Sequence, residues 1–254
     1  MNKKNKEPIN VYWTIDHSVG TQPDWSFLYP KPKTLFSELI EKRNNVKDIE
    51  SYFLCPAVNT KFKKTLTFNS SSNSSYEFGK NKQGFYINPT SKEFIKTEIV
   101  REPAIVDGAT FTFSLNYLFF ADDSLDVSFT APYFHKPKYF NFGTVMPGEF
   151  NIGKWFRPYN FEIQMWQESG VFHIEDGEPL FYAEFKTDRP IIFHRFNKNE
   201  KLLQYQLANI HSKDIFGLFQ TLSEKYEKFK QSGFREKILT EIKKNLIDEI
   251  PYKF

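Results

Sequence analysis

The residues best suited to chemistry lie in one polar and aromatic stretch between Ala131 and Pro158, with Tyr159 directly after it. Flat rings beside Lys, Arg and Asn can stack on, and hydrogen-bond to, a planar anionic ligand such as a nucleotide. Tyr133, Lys138, Asn151, Trp155, Arg157 and Tyr159 form the candidate ligand-binding set. The competing reading is a cover over the open end of a sheet. A second constellation is His173, Glu175 and His194. On a strand, positions 173 and 175 share a face, so two ligands of a two-histidine, one-carboxylate iron site could converge there. Glu175 also borders the turn Asp176-Gly177-Glu178, and polar residues on a surface strand account for the same pattern. The single Cys55 reads as a small buried residue in an apolar strand, with a redox or nucleophilic thiol as the alternative. No serine nucleophile elbow, glycine-rich phosphate loop or zinc spacing occurs, and no cofactor is expected.

These residues need a scaffold, and the hydrophobic pattern points to strands. Ile9 to Ile15 reads as a first strand, and Trp25 to Pro30 as an aromatic plug held between prolines. Thr34 has the character of an N-cap for a short helix with Leu35, Phe36, Leu39 and Ile40 on one face and Glu38 near its positive end. Tyr52 to Val58 reads as a strand, with Pro56 marking an edge or a bulge. Phe62, Lys64, Leu66 and Phe68 alternate as one strand face. Asn69 to Ser75 is a low-complexity turn, followed by strand candidates at Gly84–Asn88 and Phe94–Val100.

Thr110 to Phe120 carries the strongest alternation, with Phe111, Phe113, Leu115 and Tyr117 on one side. Leu125–Thr130 follows. Beyond the long connection, Phe161–Gln167, Val171–Ile174 and Pro179–Phe185 read as a meander, and Ile191–Phe196 as the last strand. Ile215, Leu218, Phe219, Leu222, Tyr226 and Phe229 then form a helical stripe with Ser212 as its cap. A second helix carries Phe234, Ile238, Ile242 and Leu246. Packing on the sheet is the simpler role for both helices, and a partner-binding or oligomer helix the alternative.

Composition narrows the partners. The 254-residue chain is 18% aromatic, with 29 Phe, 13 Tyr and 4 Trp, which favours pleated surfaces and a large core. A net charge of +3 from 34 basic and 31 acidic residues lacks the basic excess of a dedicated nucleic-acid binder. The Lys-rich segment Met1–Lys6 reads as a solvated tail, with a phosphate anchor as the alternative. One cysteine excludes an intrachain disulfide and suits a reducing compartment. There is no signal-peptide pattern, and apolar runs such as Leu115–Ala121 are too short to span a bilayer. The expected location is cytoplasmic, with no membrane or nucleic-acid partner.

Five segments carry a resemblance. They are FLCPAV (Phe53–Val58), ATFTFSLNYLF (Ala109–Phe119), LDVSFTAPYFHKP (Leu125–Pro137), WFRPYNFEIQMW (Trp155–Trp166) and VFHIEDGEPLFYAEF (Val171–Phe185). Their order and spacing resemble an uncharacterised family of bacterial and tailed-phage proteins of unknown function. A fainter resemblance, carried by LDVSFTAPYF, PGEFNIGKWFRPYNFEIQMW and IEDGEPLFYAEF, is to the dUTPase and dCTP deaminase group, which has a β-clip jelly-roll fold. Asn151 stands where that resemblance implies the catalytic aspartate, and a neutral amide cannot serve as a general base. Ala131-Pro132-Tyr133 replaces the Arg-Ser phosphate motif.

The resulting expectation is a mainly-β, jelly-roll or β-clip-like sandwich. Residues 1–50 would be an N-terminal extension with one short helix, 51–200 the sandwich core, and 201–254 a C-terminal helical pair packed on that core. The expected function is binding of a small molecule or nucleotide without dUTPase chemistry, in the host cytoplasm if phage-encoded. The alternatives are a virion structural or assembly protein and a non-haem metal enzyme; a homo-oligomer is compatible with each.

Overall fold

The computed structural model describes residues 7–15, 33–43, 55–90, 96–101, 108–210, 221–247 and 252–253. The basic tail, the aromatic plug Trp25–Pro30, residues Tyr52–Leu54 and Phe94, the cap Ser212, and the positions Ile215, Leu218 and Phe219 lie outside the described residues. So does the facing of Leu115.

In chain order the structure begins with β1 (Ile9–Ile15), β2 (Lys33–Thr34), α1 (Leu35–Arg43), α2 (Pro56–Lys64), β3 (Thr65–Asn69), β4 (Ser74–Asn81), β5 (Gly84–Pro89) and β6 (Lys96–Arg101). Then come β7 (Thr110–Ala121), β8 (Asp126–Thr130), a 3-10 turn at Lys138–Asn141, β9 (Gly143–Val145), β10 (Gly148–Asn151) and β11 (Pro158–Met165). The chain continues with β12 (Gly170–Ile174), β13 (Pro179–Phe185), β14 (Ile191–Arg195), α3 (Glu200–Ile210), α4 (Leu222–Gln231), α5 (Phe234–Lys244) and β15 (Tyr252–Lys253).

Among the described residues the strands make three open sheets. A seven-stranded sheet runs β15-β14-β1-β7-β11-β9, with β6 also paired to β7. A five-stranded sheet runs β10-β8-β13-β3-β2, and a three-stranded sheet β12-β4-β5. The protein is thus β-rich with a substantial helical complement. The long strand β7 is the spine of the large sheet. Its first half lies between β6 and β11, and its second half pairs with β1 in the register Val11↔Ala121 to Ile15↔Tyr117.

Strand alternation sorts the side chains into layers. Val11, Trp13, Phe111, Phe113, Tyr117 and Phe119 point from the large sheet toward Leu66, Phe68 and Phe181 of the five-stranded sheet and Tyr76, Phe78 and Phe172 of the three-stranded one. Phe68 meets Tyr117 edge-on at 5.1 Å, and Tyr76 meets Phe113 edge-on at 5.3 Å, so the two smaller sheets face the large one across an aromatic core. The opposite face of the large sheet, through Tyr12, Leu118 and Phe120, is covered by Leu202 of α3, Phe229 of α4, and Ile238, Leu239 and Ile242 of α5. On the far side of the five-stranded sheet, Tyr182 of β13 packs with Leu35 of α1 and Phe62 of α2.

Several expectations change. The first fifty residues are no mere extension, because β1 is an interior strand, parallel to β14 and antiparallel to β7. Residues 56–64 are helix, not strand. Pro56 sits in the first turn, where a missing N–H costs no helical bond, and Lys61, Lys63 and Lys64 favour the negative end. Cys55 caps that helix as an exposed residue, not a buried one. The apparent face of Phe62, Leu66 and Phe68 straddles a helix–strand junction, and Phe62 packs in a different cluster from Leu66 and Phe68.

The expected meander is also replaced, since β11, β12 and β13 belong to three different sheets. The long connection Ala131–Pro158 holds two strands and a 3-10 turn of its own. Among the C-terminal helices, α4 starts at Leu222, where Thr221 forms a capping box with Glu224, its hydroxyl accepting from the Glu224 N–H at 3.3 Å. Thr34 caps α1 as expected, accepting from the Ser37 N–H at 3.0 Å.

Candidate functional site

The site grows from the turn after β10. Asn151 is buried at 4% exposure, and its amide is fully engaged inside the protein. Its Nδ2 donates to Ser124 Oγ and Asp126 Oδ1, both at 2.8 Å, and its Oδ1 accepts from the Gly153 N–H at 3.1 Å. Gly153 is required by close approach, because a Cβ there would stand 2.1 Å from the Asp123 carbonyl oxygen. This knot fixes the next four residues. Phe156 turns inward and meets Phe120 edge-on at 5.3 Å. Lys154, Trp155 and Arg157 are left on the outside, with Trp155 and Arg157 half-buried and Lys154 exposed.

The other wall is α4. Positions 225, 226, 229 and 232 recur at helical spacing, so Lys225, Tyr226, Phe229 and Ser232 share the inward side. Phe229 is buried against the large sheet, and the Asn151 N–H donates to the Tyr226 hydroxyl at 2.6 Å. Gly233, at φ +62°, turns the chain into α5. Between core and helix lies a shallow cleft of about 60 Å³, lined by Lys154, Trp155, Ala208, Asn209, Lys225, Lys228, Phe229, Ser232 and Phe234.

The electrostatics of the cleft are one-sided. The Arg157 guanidinium lies 4.7 Å from the Trp155 ring centre, and the Lys225 ammonium 5.5 Å from it. Lys154 stands 5.7 Å from the Tyr226 ring, which itself meets Trp155 at 90°. Cations over ring faces are attracted by the ring quadrupole. Among the described residues no carboxylate lines the cleft, and Lys154, Arg157, Lys225 and Lys228 have no ion-pair partner. Burial lowers the Arg157 pKa; burial and then the Arg157 charge lower that of Lys225. Burial raises the Tyr226 hydroxyl, opposed by the Asn151 N–H and assisted by Asp126 and Glu149.

The six sequence candidates therefore divide. Trp155 and Arg157 line or border the cleft, and Asn151 braces it from behind. Tyr159 is buried in the core among Phe119, Phe129 and Phe150. Lys138 is in an ion pair with Glu175, and its N–H donates to Glu178 Oε1 at 2.6 Å. Tyr133 stands against Tyr182 at 4.9 Å beside α2. Sequence reasoning did not find Lys225, Tyr226 and Lys228. Tyr226 was visible only as a member of the helical stripe with Leu222 and Phe229, and Lys225 and Lys228 on the same helix carried no signal of their own.

The metal trio is not gathered. His173 of β12 contacts Ser75 Oγ at 2.8 Å, and Glu175 is paired with Lys138. His194 lies in the large sheet, stacked on Tyr12 at 5.2 Å and bonded to Asn10 Oδ1 at 2.8 Å. Among the described residues no three His, Cys, Asp or Glu side chains stand close enough to hold a metal ion. A second polar group joins His135, whose Nδ1 bonds to the Tyr182 hydroxyl and whose Nε2 stands 3.5 Å from Glu38 Oε1. Burial, reinforced by Glu38, pushes the Tyr182 hydroxyl upward. Among the described residues no helix is long and apolar enough to cross a membrane.

Compared with known proteins, the chain matches no family model and no curated protein.

Proposed function

We propose that the protein binds a small anionic ligand of the nucleotide class in the cleft between residues 154–157 and α4. The observation that carries this reading is three cations over one indole and one phenol, joined by Lys228 in a cleft that no carboxylate lines among the described residues. Uncompensated cations in a partly buried site repel one another, and an anion relieves that repulsion. In the same reading the sheets belong to a jelly-roll or β-clip-like sandwich shared with bacterial and tailed-phage proteins. Hydrolase chemistry of the dUTPase kind is lost, because Asn151 is neutral, buried and bonded internally.

A thermal-shift screen of the purified protein against nucleotides tests the reading. A ligand at about 100 times its dissociation constant stabilises the fold by about 2.7 kcal/mol. A rise in Tm that disappears in Trp155→Ala supports the cleft. No shift with any nucleotide, or the same shift in the variant, overturns it.

A second reading, assembly into a viral particle, draws on a different region. The edge strands β9 and β12 lie near exposed Met146, Trp166 and Val171, and open edges with apolar neighbours are templates for partner pairing. Detection of the protein in purified particles by mass spectrometry supports that role, and its absence there removes it.

A further inference from the structure

We propose that the cleft recognises an oligophosphate chain of two or more phosphoryl groups, which bridges Lys154 and Arg157 of the core to Lys225 and Lys228 of α4. This inference rests on the cleft being the binding site, and it goes further by naming the part of the ligand that is held.

Charge sets the first constraint. A phosphate monoester carries about −2 at neutral pH, too little to offset Lys154, Arg157, Lys225 and Lys228, which have no ion-pair partner among the described residues. Every added phosphoryl group adds charge and acceptor oxygens. Placement sets the second. Lys225 and Lys228 are one helical turn apart on α4, so their stems emerge about 5–6 Å from each other. Lys154 and Arg157 approach from the opposite wall. Arg157 and Lys225 share the Trp155 ring and can meet one phosphoryl group, whereas a chain of such groups extends to Lys154 and Lys228 as well.

The aromatic groups set the third constraint. Both Arg157 and Lys225 lie against the Trp155 indole, so this ring serves to hold cations in place. The remaining lining offers Asn209 and Ser232 as polar contacts, with Phe229 and Phe234 as an apolar floor. Asn209 uses its Nδ2 on the Tyr205 carbonyl at 2.7 Å. A nucleoside 5′-triphosphate and a free inorganic oligophosphate share the chemistry that this arrangement selects.

Isothermal titration at fixed ionic strength, without divalent metal, separates the outcomes. The probes are inorganic phosphate, pyrophosphate, tripolyphosphate, adenosine, AMP and ATP. The proteins are wild type, Arg157→Gln, Lys225→Gln and the remote control Lys80→Gln, each checked for an unchanged Tm. Affinity is expected to rise at least tenfold from phosphate to tripolyphosphate. Arg157→Gln and Lys225→Gln should each lower tripolyphosphate affinity about tenfold, and Lys80→Gln should leave it unchanged. ATP tighter than tripolyphosphate identifies a nucleotide as the source of the chain, and equal affinity identifies the inorganic chain. Equal binding of adenosine, AMP and ATP overturns the oligophosphate assignment while leaving a nucleotide cleft in place. Absence of binding by all six probes overturns both.

Discussion

Between the sheets, Phe113 meets Tyr76, Phe161 and Phe172 at ring separations of 5.3, 5.0 and 6.1 Å. In the cleft, Trp155 meets a guanidinium and an ammonium. Both regions use aromatic side chains, yet to opposite ends. Rings that interlock with rings exclude water and fix the distance between sheets. Rings that face cations gather positive charge without an ion-pair partner among the described residues. The first arrangement contributes stability, and the second carries a repulsion that, in the proposed reading, an anion would relieve.

Four substitutions or titrations break or sharpen this contrast. The largest effect is expected for Phe113→Ala, which opens a cavity where the three-stranded sheet meets the large one. It should cost about 3–5 kcal/mol in denaturant unfolding. A loss below about 1 kcal/mol would show that the inner rings are not the main support.

Phe229→Ala comes next. Phe229 is the residue of α4 that is buried against the large sheet, and it meets Phe120 at 6.0 Å. Its loss should release α4 before the sandwich melts, giving early hydrogen exchange at Leu222–Gln231 with β7 still protected. Simultaneous exchange of both elements would mean that cleft and core form one cooperative unit.

Tyr226→Phe leaves the Asn151 N–H without its phenol partner at the back of the cleft. A loss of about 1 kcal/mol is expected, together with weaker anion binding. Unchanged binding would show that Asn151 does not brace the site.

The smallest effect is a pH dependence. The Lys225 pKa in the folded protein lies below the ordinary 10.5, chiefly through burial and then through Arg157. Holding this ammonium charged therefore costs stability at pH below the folded value, and the cost fades as pH rises through the window up to 10.5. The free protein should gain slightly in Tm across that window, while oligophosphate affinity falls because the ammonium is lost. Titration in two buffers of different ionisation heat should show proton uptake on binding there. No uptake would place Lys225 outside the contact.

Much of the framework was legible. The alternation of Phe111 and Phe113 gives β7 its inner face, and the stripe Phe234, Ile238 and Ile242 marks α5. Other parts were hidden for identifiable reasons. The helix α2 begins at a proline that equally marks a strand edge, and its last aromatic happens to alternate with those of β3. The helix α3 buries Gln206 beside Leu202, which blurs its apolar stripe. For the cleft, only one wall was readable. Trp155 and Arg157 advertise themselves by type, but their partners lie on α4, and the Asn151–Tyr226 bond that joins the walls spans 75 residues. Local periodicity carries no record of a contact at that range.

The position of β1 has a consequence for how the protein is made. Ile9 pairs with Ile191, and Val11 with Ala121, so this strand is synthesised long before either neighbour exists. Until β7 emerges from the ribosome, an apolar ribbon containing Val11, Tyr12, Trp13 and Ile15 has neither edge paired. It gains its second edge only when β14 arrives, near the completion of the sheets. Pairings of such separation close slowly. During vectorial synthesis the nascent chain is thus a natural client for a holding chaperone, and its yield should depend on chaperone supply more than the stability of the finished fold would indicate.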